Sequence, residues 1–217
     1  GAGCGKTAGV AQGRVVAAEP LMSFKTGLFG IFAAVILAGC SLQATQKAEA
    51  TTSPAMRWDH HPEAAKWTAN TLLAVAEEDA VLAQRVPQDV AQWCPGYEDG
   101  SLAERRAFWA GLVSAVGKYE SSYNPRASGG GGRYIGIMQI SPRSAANYGC
   151  DAKSASALKD GSANLACAVE MVAHHVARDG QAVGGGNRGI GRDWMPFRKA
   201  KQRAEMRDWI SQQSYCR

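Results

Sequence analysis

Apolar residues recur at helical spacing through PEAAKWTANTLLAVAEEDAVLAQRV, residues 62–86. This pattern predicts a helix with Pro62 in its first turn and Trp67, Leu73, Val75 and Leu82 on its buried side. A turn-rich connection, PQDVAQWCPGYEDG, follows. A second helix is predicted from Ser101, with Glu104 three residues on as a capping box. Its buried stripe is Phe108, Leu112, Ala115 and Tyr119, widened by Val113 and Val116, and it stops near Glu120 in an SSYNP turn. Pro125 and four consecutive glycines then break regular structure. YIGIMQI predicts a short strand or hairpin edge. SPRSAANYG predicts a short helix with Ser141 as N-cap, Pro142 in the first turn and Gly149 at its end. Residues 160–180 predict a long helix with Leu165, Val169, Val172 and Val176 on one side and Gly180 closing it. After a second glycine-rich loop, DWMPFRKAKQRAEMRDWISQQ predicts a last helix with its basic residues exposed. Five or six helices and at most a small β element give a mainly α fold, α+β at most.

The N-terminal residues belong to a different regime. Residues 1–21 read as a leader or a misassigned start. Their GAGCGKT carries only part of a phosphate-binding loop and has no strand before it. From Met22, Lys25 precedes an uncharged, mostly apolar run, Gly27 to Gly39, which is short for a bilayer span but suits a signal segment. The run ends in LAGC and resembles a bacterial lipoprotein signal over residues 22–40. That resemblance implies Cys40 as the lipidated first residue, with Ser41 permitting passage to the outer membrane. Residues 41–62, rich in Ser, Thr, Ala and Gln, read as a flexible tether, leaving residues 63–217 as the domain.

Composition adds limits. With 46% apolar and 20% charged residues, the chain fits a globular protein. The net charge of +5 suits an anionic polymer as partner. No zinc-finger spacing or Lys/Arg stripe points to nucleic acid. GGGNRG, residues 184–189, follows a helix rather than a strand, so it reads as a flexible loop and not a dinucleotide cradle. His60 and His61 fall in the tether, and His174 and His175 are adjacent, so they point different ways on a helix; no metal or other cofactor is expected. Beyond Cys4 and Cys40, four cysteines allow three pairings. Cys150–Cys167 would staple a loop to the next helix, and Cys94–Cys216 would tie down the C-terminus. This is the favoured set for an exported chain.

Glu120 is the candidate chemical group. It lies four residues after Val116 and seven after Val113, on their face. Apolar neighbours, partial burial and the negative end of the helix dipole would all raise its pKa. A carboxyl held protonated near neutrality is a general acid.

ESSYNP, GIMQIS, NYG and NLACAVE, in that order and spacing, resemble the lytic transglycosylase domain of the lysozyme-like superfamily over residues 105–180. The resemblance implies a helical lysozyme-like fold with a sugar-binding cleft. It also implies cleavage of peptidoglycan glycan strands between N-acetylmuramic acid and N-acetylglucosamine. Glu120 matches the catalytic acid/base and Ser121 the residue supporting it. Gly136, Met138 and Gln139 match the cleft segment: the glycine lets backbone approach the sugar, Met138 packs and Gln139 hydrogen-bonds. Asn147 and Tyr148 match a second wall, and Asn164 matches the Asn opening the next helix. The family's AYNAG-like motif, whose Tyr bonds the glutamate, has no counterpart in GGGNRGIGRDWMPFRK; Trp194 or Phe197 could face the cleft there instead. Hydrolysis would need a second carboxylate, for which Asp151, Asp160 and Asp193 are candidates. A single carboxylate suits closure of a 1,6-anhydro ring. A non-catalytic peptidoglycan-binding module on the same fold is the remaining alternative. A monomer, acting in the periplasm from an outer-membrane anchor, is expected.

Overall fold

The computed structural model describes residues 53–217. The expectations for the signal segment, for Cys40 and for most of the tether therefore lie outside the described residues. Five α-helices are present among the described residues: α1 (Ala64–Glu77), α2 (Leu102–Ser121), α3 (Pro142–Tyr148), α4 (Gly161–Asp179) and α5 (Ala200–Ser211). The β component is a two-residue pair, β1 (Ser128–Gly129) against β2 (Tyr134–Ile135), antiparallel, with Ser128 opposite Ile135. No described helix is long and apolar enough to cross a membrane.

α2 runs through the middle of the domain. Its capping box forms: Ser101 Oγ accepts from the Glu104 amide, and the Glu104 carboxylate accepts from the Ser101 amide. From Ala107 to Gly117 every residue is buried, so α2 is enclosed on all sides rather than amphipathic. α1, α4 and α5 pack around it. Leu165, Val169, Val172 and Val176 of α4 are buried as the spacing predicts, and Gly180 ends the helix at φ +64°. In α3, Ser141 Oγ accepts from the Ser144 amide and Gly149 closes the helix at φ +87°. Two disulfides, Cys94–Cys216 and Cys150–Cys167, are the pairs favoured from the sequence. The first closes a loop of 122 residues, which restricts the unfolded chain by about 4–5 kcal/mol in the loop-entropy account.

Several expectations change. The first helix stops at Glu77, not residue 86. Beyond it the chain turns so that buried Asp79 can pair with Arg106 of α2 while Leu82 enters the core. Leu73 is 64% exposed, not buried. The last helix starts at Ala200, because Pro196 and buried Phe197 hold residues 195–198 in a 3-10 turn. The tether does not extend to residue 62. Met56 and Trp58 are already core residues, and Trp58 Nε1 donates to Thr68 Oγ1 at 2.9 Å. His61, assigned to that tether, stacks on Trp67 at 4.1 Å between ring centroids.

The second glycine-rich loop is not loose. Asp89 is buried and accepts from the amides of Ala182, Val183 and Gly184 at 2.6–2.9 Å. Asp179 accepts from the Gly189 amide at 2.9 Å and pairs with Arg192 through both carboxylate oxygens. Gly186, at φ +107°, packs so closely on the Phe197 carbonyl that a Cβ there would sit 2.1 Å from its oxygen. Gly186 thus lets the loop pack directly against the 195–198 turn.

Candidate active site

The C-terminal end of α2 and the segment leading into α3 meet at Glu120. Ser122 and Tyr123 both take left-handed backbone angles, φ +52° and +64°, and turn the chain sharply after the helix. Ser121 Oγ donates to the Ile137 carbonyl at 2.9 Å, which fastens the helix end to the GIMQ segment. That segment is a tight turn closed by a reciprocal bridge between Ile135 and Ile140. Gln139 sits in it at φ +49°, half-buried, and its Nε2 donates to the Gly136 carbonyl at 2.8 Å.

Glu120 is half-buried among this packing. Its carboxyl has no hydrogen-bond or ion-pair partner among the described residues. Burial pushes its pKa up to about 7, opposed only by the positive charge of Lys199. By contrast Glu205, bonded by Arg57, Tyr119 and Lys118, is held down at about 2. An acid that keeps its proton to neutrality, with a free carboxyl, can donate to an incoming oxygen and later accept a proton back.

The other expected residues fall into two groups. Asn164 is fully buried at the start of α4 and acts as a hub. Its Oδ1 accepts from the Met138 amide at 2.8 Å, and its Nδ2 donates to the carbonyls of Ile135 and Leu158, each at 3.0 Å. Gly136, at φ +78°, makes room for this hub: a Cβ there would lie 2.4 Å from Asn164 Nδ2. The glycine admits Asn164 at this point. Met138 is fully buried, and Trp194 Nε1 donates to its carbonyl at 2.9 Å. Trp194 is 3% exposed and Phe197 is fully buried, so neither offers a face for sugar stacking. Ser121, Gln139 and Tyr148 are half-buried, and Asn147 is exposed.

Two of the three candidate second carboxylates are bound elsewhere. Asp193 Oδ2 lies 2.7 Å from His175 Nε2, which is also 2.8 Å from the Tyr148 hydroxyl. Asp160 caps α4 by accepting from the Ala163 amide. Asp151 is exposed; its charge, behind burial, helps raise the Glu170 pKa. None of them acts on Glu120, whose proton affinity responds only to burial and Lys199. Lys199 itself escaped the sequence reading. It stands just after the 3-10 turn that packs on α2, in the region where the family motif is missing, and only the fold brings it to Glu120.

A concavity of about 580 Å³ lies at the opposite half of α2. It is an apolar groove lined by Leu72, Leu73, Ala103 and Tyr215; its carboxylate, Glu104, is tied to the Ser101 cap, which lowers its pKa.

Against known proteins, residues 100–208 match the family described as Transglycosylase SLT domain. Three solved structures of DslA are similar to the chain. A glutamate-to-glutamine mutant has a TM-score of 0.69 at 25% identity, the wild-type form 2 has 0.68 at 25%, and a second such mutant has 0.67 at 26%. Each alignment covers 77% of this chain and 100% of the DslA chain. No curated protein matches the chain.

Proposed function

Because the chain belongs to the transglycosylase SLT domain family, whose activity is of the lytic transglycosylase type on peptidoglycan, we propose that it cuts the N-acetylmuramic acid–N-acetylglucosamine bond with Glu120 as acid and then base. Glu120 gives its proton to the glycosidic oxygen as the bond from C1 to that oxygen breaks. The N-acetyl group of the same sugar stabilises the cationic C1. The Glu120 carboxylate then takes the proton of the sugar's 6-hydroxyl, whose oxygen attacks C1 and closes a 1,6-anhydro ring. No water enters, and Glu120 ends protonated, ready for another turnover.

The single observation that carries this reading is the Glu120 carboxyl, pushed up to about 7 by burial with no second carboxylate acting on it. An acid near neutrality is poised for both proton transfers. A water-using route needs a base on the opposite face of the sugar; Asp193 and Asp160 are bound to other partners, and Asp151 is not among the groups acting on Glu120. Ser121 and Gln139 hold the wall beside Glu120, and Tyr148 and Asn147 contact the strand further along. Gly136, Met138, Asn164 and Trp194 act through the wall they build. The lipoprotein-type segment at Cys40 would anchor the enzyme at the outer membrane, facing its polymer in the periplasm.

Product analysis from purified sacculi tests the reading. Anhydro ends are expected; reducing ends would establish a hydrolase. Equal, negligible release by wild type and Glu120→Gln, with both binding sacculi, would leave a binding module.

A further inference from the structure

A second concavity, about 300 Å³, opens on the flank of the last α2 turn and is lined by Arg57, His60, Lys118, Ser122 and Tyr123. Each of these side chains can donate a hydrogen bond, and the first and third carry full positive charge. Glu205 takes up Arg57, at 2.6 and 2.7 Å, and one contact of Lys118 at 3.3 Å. The remaining donors are left over. The side chains of His60 and Ser122 have no hydrogen-bond partner among the described residues, and Lys118 keeps further protons free.

Tyr123 is the informative group. It is 5% exposed, its ring lies edge-on to His60 at 5.4 Å, and its hydroxyl is buried without a partner. An unpaired buried hydroxyl costs free energy unless an acceptor arrives. Tyr123 is also held in the left-handed region at φ +64°, as is Ser122 beside it. Such strain in consecutive non-glycine residues persists where the surrounding structure enforces it, commonly at ligand sites. A pocket with two cations, three unfilled donors and one bound carboxylate asks for a further anionic oxygen.

We infer that this pocket binds a carboxylate of the peptide that hangs from the glycan strand. The inference rests on peptidoglycan being the substrate. Glu120 lies roughly 200° round the helix from Lys118, so the two face opposite flanks. The helix ends here, and it is about 10 Å across. Half-way round it is about 16 Å, and a pendant peptide of five residues reaches about 17 Å, enough to pass round the helix end from a sugar bound at Glu120.

The test is an amide chemical-shift titration of the full chain with N-acetylmuramyl-L-alanyl-D-isoglutamine, which carries a carboxylate and no bond for the enzyme to cut. Inorganic phosphate is titrated in parallel. Saturable shifts at Lys118, Ser122 and Tyr123 are expected with the dipeptide, and weaker ones with phosphate. Tyr123→Phe and Lys118→Met should each weaken dipeptide binding about tenfold, as for one hydrogen bond to a charged group. Absence of saturable shifts at these residues, unchanged affinity in both variants, or tighter binding of phosphate than of the dipeptide overturns the inference. Because no turnover is read, these outcomes are separate from whether the chain releases anhydro products.

Discussion

Ser121, the last residue of α2, donates from its hydroxyl to the carbonyl of Ile137 at 2.9 Å. This bond fixes the helix end that carries Glu120 against the turn that carries Gln139. Ser121→Ala is expected to cost about 1 kcal/mol of stability and to lower the rate of glycan release more than it changes KM. A denaturant titration beside sacculus kinetics measures both.

The rate should depend on pH through Glu120. A general acid must be protonated, so turnover falls as pH rises above about 7, where its carboxyl ionises. The positive charge of Lys199 favours the carboxylate and lowers that pKa. Lys199→Met should therefore move the alkaline limb upward, read from pH–rate profiles of the two proteins.

The same raised pKa has a stability consequence. As pH rises from 4.5, the Glu120 value in the absence of burial, to about 7, the unfolded chain ionises more readily than the folded one, so stability falls across that window. Glu120→Gln removes this term. At pH 8 the variant should be more stable than wild type by up to about 3 kcal/mol, while at pH 4 the two should match. Denaturant titrations at both pH values check it.

Asn164 should be the most sensitive position near the site for folding. Truncation to Ala leaves the Met138 amide and the Leu158 carbonyl without these bonds, and the Ile135 carbonyl with only that from the Ile140 amide. The expected loss is about 3–5 kcal/mol, seen as a lower denaturant midpoint.

Acid should loosen the domain at two identified places. Asp179 and Glu205 are each held down to about 2, by Arg192 and Arg57 first. Their contribution is fully present above their ordinary values, 3.8 and 4.5, and is lost as pH falls toward 2. Asp179→Asn should lower Tm at pH 7 and reduce the drop in Tm between pH 5 and pH 2.5.

Local signals made much of this legible in the sequence. The capping box at Ser101 and Glu104, the Ser141-Pro142 start and the glycine stops at 149 and 180 depend on near neighbours, and they form where the letters place them. Glu120 was visible because a helix places it on the face of Val113 and Val116. Contacts between distant segments were not visible. The end of α1 depends on Asp79 meeting Arg106. The burial of Trp194 depends on the Met138 carbonyl 56 residues away. The ordered glycine loop depends on Asp89 meeting amides more than 90 residues later. Lys199 reaches Glu120 only through the fold. Tyr123 is one letter of the SSYNP turn, and its unpaired hydroxyl emerges only when its surroundings are known.

The most direct measurement is mass spectrometry of the material released from purified sacculi by wild type and by Glu120→Gln. The account predicts fragments ending in 1,6-anhydro-N-acetylmuramic acid from wild type and almost none from the variant. Reducing ends from wild type, or anhydro ends undiminished in the variant, would contradict it.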